Sequence, residues 1–248
     1  MELIKEYASK LRMANLRNNY ESMIKEAEIN ELKYQELIEL ILKEELDSRV
    51  SNRIKTLIKN AKFPYKLLLE DYKLDHLKPN LKKQIKEITQ LEFINNNQNI
   101  LLFGNPGVGK THLAIGLGLK ACLENKTVLY ISVPNLMIQI KEAMTLNQIQ
   151  RYKASFEKYD LVILDELGYV SFEKEASEVL FNLLSNRNDK GSIIITTNLT
   201  FDRWEEVFKD KVLTSAIIDR LAHKSYIIDL SGESFRAKES MKFLSELV

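Results

Sequence analysis

Eight consecutive residues near the middle of the chain have the types and spacing of a loop that holds nucleotide phosphates. They are Gly104, Asn105, Pro106, Gly107, Val108, Gly109, Lys110 and Thr111. Glycines let backbone N–H groups turn toward an anion, and the N-terminus of a following helix adds about half a positive charge. Lys110 is expected to reach the β- and γ-phosphates, and the Thr111 hydroxyl to bind Mg²⁺. Together with the next residue, His112, the loop predicts a nucleotide site.

Two neighbouring carboxylates further along the chain could complete a hydrolytic site. Residues 161–164 form an apolar run that ends at Asp165 and Glu166. Asp165 is placed to hold Mg²⁺ through its water shell, and Glu166 to orient and deprotonate an attacking water. Because the two carboxylates would have different roles, the pair favours hydrolysis over simple nucleotide storage.

Two later polar residues each allow a functional and a structural interpretation. Asn198 follows the β-branched run 192–197, and could hold the attacking water, contact the γ-phosphate or form an ordinary turn. Arg220 could reach the phosphate loop of a neighbouring subunit as an arginine finger, or pair with Asp219 on its own surface. The residues alone leave these alternatives open.

The elements that must position these residues alternate along the second part of the chain. Strand-like runs at 99–103, 127–132, 160–164, 192–197 and 226–230 are separated by helical patterns. This alternation predicts an α/β fold, with a five-stranded parallel sheet and helices on both of its faces. Ligands of such sheets bind at the carboxyl ends of the strands, where the loop and the carboxylates lie.

The N-terminal third predicts a small all-α domain. Residues 1–70 contain no glycine, their only proline is Pro64, and apolar residues recur at helical spacing. One stripe consists of Leu3, Tyr7, Leu11 and Ala14, and the other of Leu32, Leu37, Ile38, Ile41 and Leu42. Packing within a helical bundle is the plainer interpretation of these stripes, and a groove for a partner is the alternative.

A basic stretch lies between Asp47 and Glu70, where no acidic residue occurs. Its cations are Arg49, Arg53, Lys55, Lys59, Lys62 and Lys66. Most of them share the face of one helix that lies opposite its apolar side chains. Such a face is either solvated or in contact with phosphate, and Arg49, Arg53 and Lys59 are the candidates for DNA contact.

Composition limits the classes of function. The chain has 248 residues, 45% of them hydrophobic and 29% charged, and a formal net charge of +1, so a folded protein without an overall bias toward nucleic acid is indicated. The one cysteine, Cys122, is expected to be a buried thiol. The N-terminus does not resemble a signal peptide and no run reaches membrane-spanning length, so we expect a cytoplasmic protein without a membrane partner. With 3 histidines and no acidic triad at strand ends, metal-dependent DNA cleavage is not expected.

The motif set resembles that of AAA+ ATPases and, in its finer pattern, the IstB-like transposition helper proteins of bacterial insertion sequences, which are relatives of the DnaC-type helicase loaders. The matching residues are 109–114, 165–169, the spaced set Phe201, Trp204, Phe208 and Asp210, then 219–221 with His223, and 232–236. The resemblance implies that Asn198 occupies the sensor position and that Arg220 acts on a neighbouring subunit. It also implies that Arg236 senses nucleotide, with Phe235 in place of the more usual tyrosine.

The same resemblance implies a division of the chain. We expect a helical partner- or DNA-binding domain at 1–70, a connector at 71–80 and an AAA+ ATPase domain at 81–248. Only residues 231–248 follow the fifth predicted strand, too few for the full helical lid of AAA+ proteins, so the N-terminal domain or a neighbouring subunit is expected to close the pocket. Residues 134–159 are expected to add a DNA-facing helix with Lys141, Arg151 and Lys153 as candidates, the alternative being one helix and a loop.

These implications lead to one expected function and one main alternative. The expected protein binds ATP and Mg²⁺, assembles head to tail as a ring or spiral on duplex DNA, and helps a cognate transposase to engage its target. Hydrolysis would then release the assembly. The alternative is a loader of a replicative helicase that uses the same ATPase core. A switch that barely hydrolyses ATP is disfavoured by Asp165, Glu166 and Arg220.

Overall fold

The computed structural model describes residues 2–74, 77–187, 190–232, 234, 235 and 237. The chain divides into two compact units, Met1–Thr56 and Leu57–Val248, here called the N-terminal unit and the sheet unit. The boundary between the units lies inside a long helix, whereas the sequence places the first domain boundary at residue 70. The predicted division by function stays a prediction.

Three helices make up the N-terminal part of the chain: α1 (Glu2–Lys10), α2 (Ala14–Ile29) and α3 (Tyr34–Ala61), the last of which continues into the sheet unit. The end of α3 at Ala61 agrees with the predicted stop before Pro64, because proline disfavours helical geometry in the preceding residue. The first turn of α2 is capped from another helix. The Glu45 carboxylate on α3 accepts hydrogen bonds from the backbone N–H groups of Asn15 and Leu16, at 2.9 and 3.2 Å.

The predicted packing of the two apolar stripes is wrong for most of their large side chains. Ala8, Tyr20, Met23 and Ala27 are buried. The exposed side chains are Leu3, Tyr7 and Leu11 from the first stripe and Ile38 and Leu42 from the second, with Leu46 and Val50 continuing the latter along α3. Helical spacing shows which side chains share a face, but not whether anything covers that face.

The sheet unit is built on five parallel strands, as predicted. They are β1 (Asn99–Phe103), β2 (Val128–Ser132), β3 (Leu161–Leu167), β4 (Ser192–Thr197) and β5 (Ser225–Asp229), in the spatial order β2-β3-β4-β1-β5. The pairing of β3 with β4 is regular up to Leu164 and then shifts before Leu167. This irregularity falls at the two candidate carboxylates.

Helices cover both faces of the sheet. They are α4 (Pro79–Ile88), α5 (Glu92–Asn95), α6 (Lys110–Leu123), α7 (Val133–Thr145), α8 (Ile149–Phe156), α9 (Lys174–Asn186), α10 (Glu205–Phe208) and α11 (Lys211–Ala222). Successive strand residues point to opposite faces, so Leu101 packs with the apolar sides of α7, α9 and α11, and Leu102 with those of α4 and α6.

Cys122 is buried as predicted, and burial raises the pKa of its thiol to about 11.

None of the helices in the described ranges is long and apolar enough to cross a membrane.

Candidate nucleotide site

The phosphate-type loop joins β1 to α6, which confirms the predicted strand–loop–helix context. Gly104, Gly107 and Gly109 have φ angles of +142°, +80° and +93°, a region that side chains rarely adopt. A Cβ atom at Gly104 would lie 3.0 Å from the backbone carbonyl carbon of Leu230. The loop therefore requires glycine both for its backbone conformation and for the close approach of the segment after β5.

The ammonium group of Lys110 lies against the loop itself. Its Nζ donates to the carbonyl oxygens of Gly104 and Asn105, at 2.7 and 2.8 Å. Lys110 is also the first residue of α6, whose N-terminal N–H groups carry partial positive charge. The loop thus concentrates positive charge and backbone donors at one place, as phosphate binding requires.

Asp165 is 2% exposed and is surrounded by hydroxyl groups from three elements. Thr111 Oγ1 lies 3.0 and 3.2 Å from its two carboxylate oxygens, which brings the loop and the carboxylate together as predicted. Tyr130 on β2 donates to Oδ2 at 2.6 Å, and Thr196 on β4 donates to Oδ1. Burial, and then the hydrogen bond and charge of Asp165, raise the pKa of Tyr130, so its phenol remains a donor.

Glu166 differs from its neighbour in almost every respect. Its side chain is exposed and lines the pocket beside the loop. Its φ of +66° is a conformation that costs a residue other than glycine about 1 to 3 kcal/mol and that is common at active sites. The Glu166 N–H donates to Thr196 Oγ1 at 3.0 Å. The irregularity after Leu164 therefore turns the two successive carboxylates in different directions, one into the interior and one into the pocket.

The pocket has a volume of about 440 Å³ and lies at the carboxyl ends of the strands. Its lining residues are Tyr65, Leu67, Asp71, Tyr72, Lys73, Pro106, Gly107, Gly109, Lys110, Thr111, His112, Glu166, Tyr169, Thr196, Thr197, Asn198 and Phe235. The first five belong to the segment between α3 and α4, which the sequence presented only as the end of the helical domain and a connector. The sequence predicted that the N-terminal domain or a neighbouring subunit closes the pocket, but it did not identify these residues, because they lie more than 30 residues away from the loop in the chain.

Tyr72 is the central residue of that wall. Its ring meets the His112 ring edge to face, with 5.4 Å between the centroids, and a Cβ at Gly109 would lie 3.0 Å from it. The Tyr72 side chain is 8% exposed, and its hydroxyl has no hydrogen-bond partner within the described part of the chain. Burial raises the pKa of Tyr72 to about 12. His112 Nε2 lies 2.8 Å from the carbonyl oxygen of Leu68, so the helix after the loop anchors the same wall.

The remaining predicted site residues lie in different places. Asn198 is exposed and lines the pocket with Glu166. Arg220 is exposed on α11, does not line the pocket, and lies over the ring of Phe181, 4.7 Å from its centroid. Among the described residues, no ion pair joins Arg220 to Asp219. Arg236 lies outside the described residues, while the N–H of Phe235 donates to the Gly107 carbonyl at 3.0 Å.

The DNA candidates are divided between the two units of the chain. Arg49 and Arg53 lie in the N-terminal unit, and Lys59, Lys141, Arg151 and Lys153 in the sheet unit. Arg49 pairs with Glu45 at 3.0 Å, so the basic stretch is not free of compensating carboxylates. Lys141 pairs with Glu173 at 2.8 Å. Arg53, Lys59 and Arg151 are exposed, and Lys153 is half-buried.

The residues at the pocket fit a magnesium-bound nucleoside triphosphate. The loop and Lys110 supply donors for phosphate oxygens, and the oxygen atoms of Thr111 and Asp165 are of the kind that Mg²⁺ prefers. Glu166 and Asn198 line the same pocket, where they can contact a water next to the terminal phosphate. The arrangement can therefore place a water, a phosphate chain and a divalent cation in one site.

Comparisons with known proteins indicate an ATP-binding family. A family model described as "IstB-like ATP binding protein" matches residues 6–243. The chain is 36% identical to a putative ATP-binding protein of insertion sequence IS21 from Pseudomonas aeruginosa, over 94% of this chain and 88% of that protein. It is 32% identical to a putative ATP-binding protein of insertion sequence IS5376 from Geobacillus stearothermophilus, over 96% of this chain and 95% of that protein.

Among solved structures, the crystal structure of DnaI has a similar fold. It superposes with a TM-score of 0.56 over 68% of this chain and 90% of that chain, at 22% sequence identity. At this identity the likeness concerns the fold, and it agrees with the predicted parallel sheet covered by helices on both faces.

Proposed function

We propose a function from the premise that this chain belongs to the IstB-like ATP-binding family, whose model it matches at residues 6–243. The protein is an ATP-hydrolysing helper of insertion-sequence transposition that assembles on duplex DNA and helps a cognate transposase to engage it. The observation that carries the enzymatic part is the pairing of buried Asp165 with Thr111, next to exposed Glu166 in the pocket.

ATP would bind with its phosphates in the loop. Lys110 then exchanges its carbonyl partners for phosphate oxygens, which carry full negative charge and form stronger hydrogen bonds. Thr111 and, through water, Asp165 would hold Mg²⁺, which supplies charge neutralisation to the phosphates. Glu166 takes the proton of the attacking water, and Asn198 orients that water.

The segment 65–73 is proposed as the wall that receives the base of the nucleotide. Tyr72 offers a flat apolar ring beside the loop, and its hydroxyl, which has no partner among the described residues, offers a polar group at the same place. In this role the segment closes part of the pocket from within the same chain. Of the two predicted closures, the N-terminal domain or a neighbouring subunit, it favours the one that needs no second subunit.

Assembly is proposed from the position of Arg220. Its guanidinium lies on the Phe181 ring and outside the lining of the pocket, so it does not serve its own site in this conformation. Head-to-tail contacts would let Arg220 of one subunit reach the phosphates of the next, and such heterologous contacts form rings or open spirals. Stacking on Phe181 would keep the side chain extended and ready for this contact.

The proposed macromolecular partners are duplex DNA and a transposase. Both relatives described above are named after insertion sequences, which favours a transposase over a replicative helicase. Arg53, Lys59 and Arg151 are exposed cations available to DNA phosphates. The exposed apolar side chains of α1 and α3 favour a protein-binding role for the N-terminal unit.

The test measures ATP turnover as a function of protein concentration, with and without duplex DNA. The variants are Arg220→Ala, Glu166→Gln and an equimolar mixture of the two. The control is Arg203→Ala, which removes an exposed arginine that pairs with Glu206 on the protein's own surface. The expected result is turnover per subunit that rises with concentration and with DNA, and a loss of about 10³-fold or more in Arg220→Ala.

The mixture decides whether Arg220 acts between subunits. Arg220→Ala retains Glu166, and Glu166→Gln retains Arg220, so a shared site in the mixture contains both groups and turnover returns. Turnover per subunit that is independent of concentration, DNA and Arg220 would instead identify a self-contained ATPase and overturn the assembly mechanism. Capture of a replicative helicase rather than the transposase by the full chain would favour the loader alternative.

A further inference from the structure

The Asp165 carboxylate is held from both neighbouring strands. Tyr130 donates to Oδ2 at 2.6 Å from β2, and Thr196 donates to Oδ1 from β4. Both strands pair directly with β3, so the two hydroxyls approach the carboxylate from opposite sides. We call Tyr130 and Thr196 the hydroxyl clamp. Neither residue belongs to the loop or to the carboxylate pair.

The hydrogen-bond directions in the clamp follow from its partners. An ionised carboxylate can only accept, so the Tyr130 hydroxyl donates to Asp165. Thr196 Oγ1 accepts a hydrogen bond from the Glu166 N–H at 3.0 Å, which leaves its own proton for Asp165. Thr196 thus ties the buried carboxylate and the backbone of the exposed one to the same atom.

We propose that Tyr130 is a positioning residue for magnesium-dependent nucleotide binding, acting through Asp165, with Thr196 as its counterpart on the opposite side. The inference rests on the proposed function, because it concerns how that site holds Mg²⁺. Its physical basis is the freedom of a carboxylate to rotate about its last side-chain bond. With a donor on each oxygen, Asp165 keeps the orientation in which both oxygens face Thr111, at 3.0 and 3.2 Å.

The expected loss of Mg²⁺ affinity can be estimated from groups that orient metal-binding side chains in other proteins. Removing a group that orients a metal-binding side chain typically lowers metal affinity about 10- to 100-fold. The Tyr130 ring also packs near Phe63, with 6.2 Å between the centroids. Tyr130→Phe therefore removes the hydroxyl and keeps the ring contact, so it is the variant best suited to separate positioning from packing.

The experiment titrates Mg²⁺ against the full-length protein in the presence of a fluorescent, non-hydrolysable ATP analogue. Binding of the analogue is also measured in EDTA, where no divalent cation contributes. The matched control is Tyr226→Phe on β5, at the opposite edge of the sheet, because Tyr226 also donates to a carboxylate, that of Glu87, at 2.9 Å. The same substitution thus removes the same type of hydrogen bond outside the lining of the pocket.

The expected result is a rise of about 10-fold or more in the Mg²⁺ concentration at half-saturation for Tyr130→Phe. Analogue binding in EDTA stays unchanged, and Tyr226→Phe behaves like the wild type. Equal Mg²⁺ titrations for Tyr130→Phe and Tyr226→Phe would overturn the inference, while a wild type whose analogue binding does not respond to Mg²⁺ would overturn the proposed cofactor as well.

A second pair of variants tests the clamp independently, in case the Tyr130→Phe protein does not fold. Thr196→Val removes the hydroxyl from the other side of the clamp, and Thr196→Ser keeps it. A Mg²⁺ requirement that rises in Thr196→Val and returns to the wild-type value in Thr196→Ser supports the clamp. Indistinguishable titrations for the two variants would rule the clamp out.

Discussion

The nucleotide pocket and the N-terminal unit differ in whether their characteristic side chains have partners within the protein. In the pocket, the polar groups are partnered from within: Asp165 accepts from three hydroxyls and Lys110 donates to two carbonyls. On α3, large apolar side chains are left in solvent, with Ile38 57% and Leu46 61% exposed. The geometry of the pocket is set by its own unit, whereas an exposed apolar stripe of this kind is typical of a binding surface.

Among substitutions that test this difference between the two regions, the largest expected effect is on the rate of ATP hydrolysis. Glu166→Gln should lower ATP turnover by about 10²- to 10⁴-fold, because an amide cannot accept the proton of the attacking water. ATP and DNA binding should persist, so the DNA complexes become long-lived. Turnover is measured by phosphate release and complex lifetime by dilution from labelled DNA.

The control for this variant is Glu178→Gln, the same change at an exposed position on α9. Full turnover in Glu166→Gln would remove Glu166 from its assigned role. It would also remove the difference between pocket and surface, because a carboxylate that lines the pocket would then affect ATP turnover no more than one on the open surface.

The next largest effect is on stability, and it compares two leucines. Leu102→Ala in β1, where the side chain is fully buried, should cost about 2 to 5 kcal/mol of unfolding free energy. Leu42→Ala on α3, where the side chain is 57% exposed, should change it by no more than about 0.5 kcal/mol. Leu42→Ala should instead weaken capture of the transposase.

Urea unfolding can follow the two units separately. The only tryptophan of the chain, Trp204, is buried in the sheet unit, so its fluorescence reports on that unit, while far-UV circular dichroism reports on both. A loss of several kcal/mol in Leu42→Ala would show that the stripe is packed after all and would remove it as a binding surface.

The same contrast separates what the sequence could predict from what it could not. The loop, the strands and the carboxylate pair were predictable, because each is encoded in a few consecutive residues and a parallel sheet gathers strand ends at one edge. Tyr130 and Thr196 were not, because they reach Asp165 across 35 and 31 residues of chain and only through the strand register.

Two further differences between the sequence-based expectation and the structure have a similar cause. The segment around Tyr72 has the composition of a connector, and only its fold against Gly109 and His112 makes it part of the pocket. Helical periodicity placed Leu3 and Leu42 on apolar faces correctly, but their burial depended on a neighbour that the N-terminal unit does not supply.

The smallest expected effect concerns Glu45, the partnered carboxylate of the N-terminal unit, and it depends on pH. Burial by itself would raise the pKa of Glu45, but the hydrogen bonds from Arg49 and from the N–H groups of Leu16 and Asn15 outweigh it and hold the pKa below its usual value. A carboxylate with a lowered pKa stabilises the folded state above its unfolded-state pKa, and this contribution is lost as the pH falls through the folded-state pKa. Glu45→Gln should therefore cost about 1 kcal/mol at pH 7, in the range of a lost helix cap.

The measurement is urea unfolding by circular dichroism at pH 7 and at pH 3, with Glu44→Gln, the same change at the exposed neighbouring residue, as the control. The difference between the wild type and Glu45→Gln should shrink at pH 3, because the stabilising contribution of a carboxylate with a lowered pKa declines as the pH falls below its unfolded-state pKa. A difference that stays constant between the two pH values would mean that shape rather than charge caps α2.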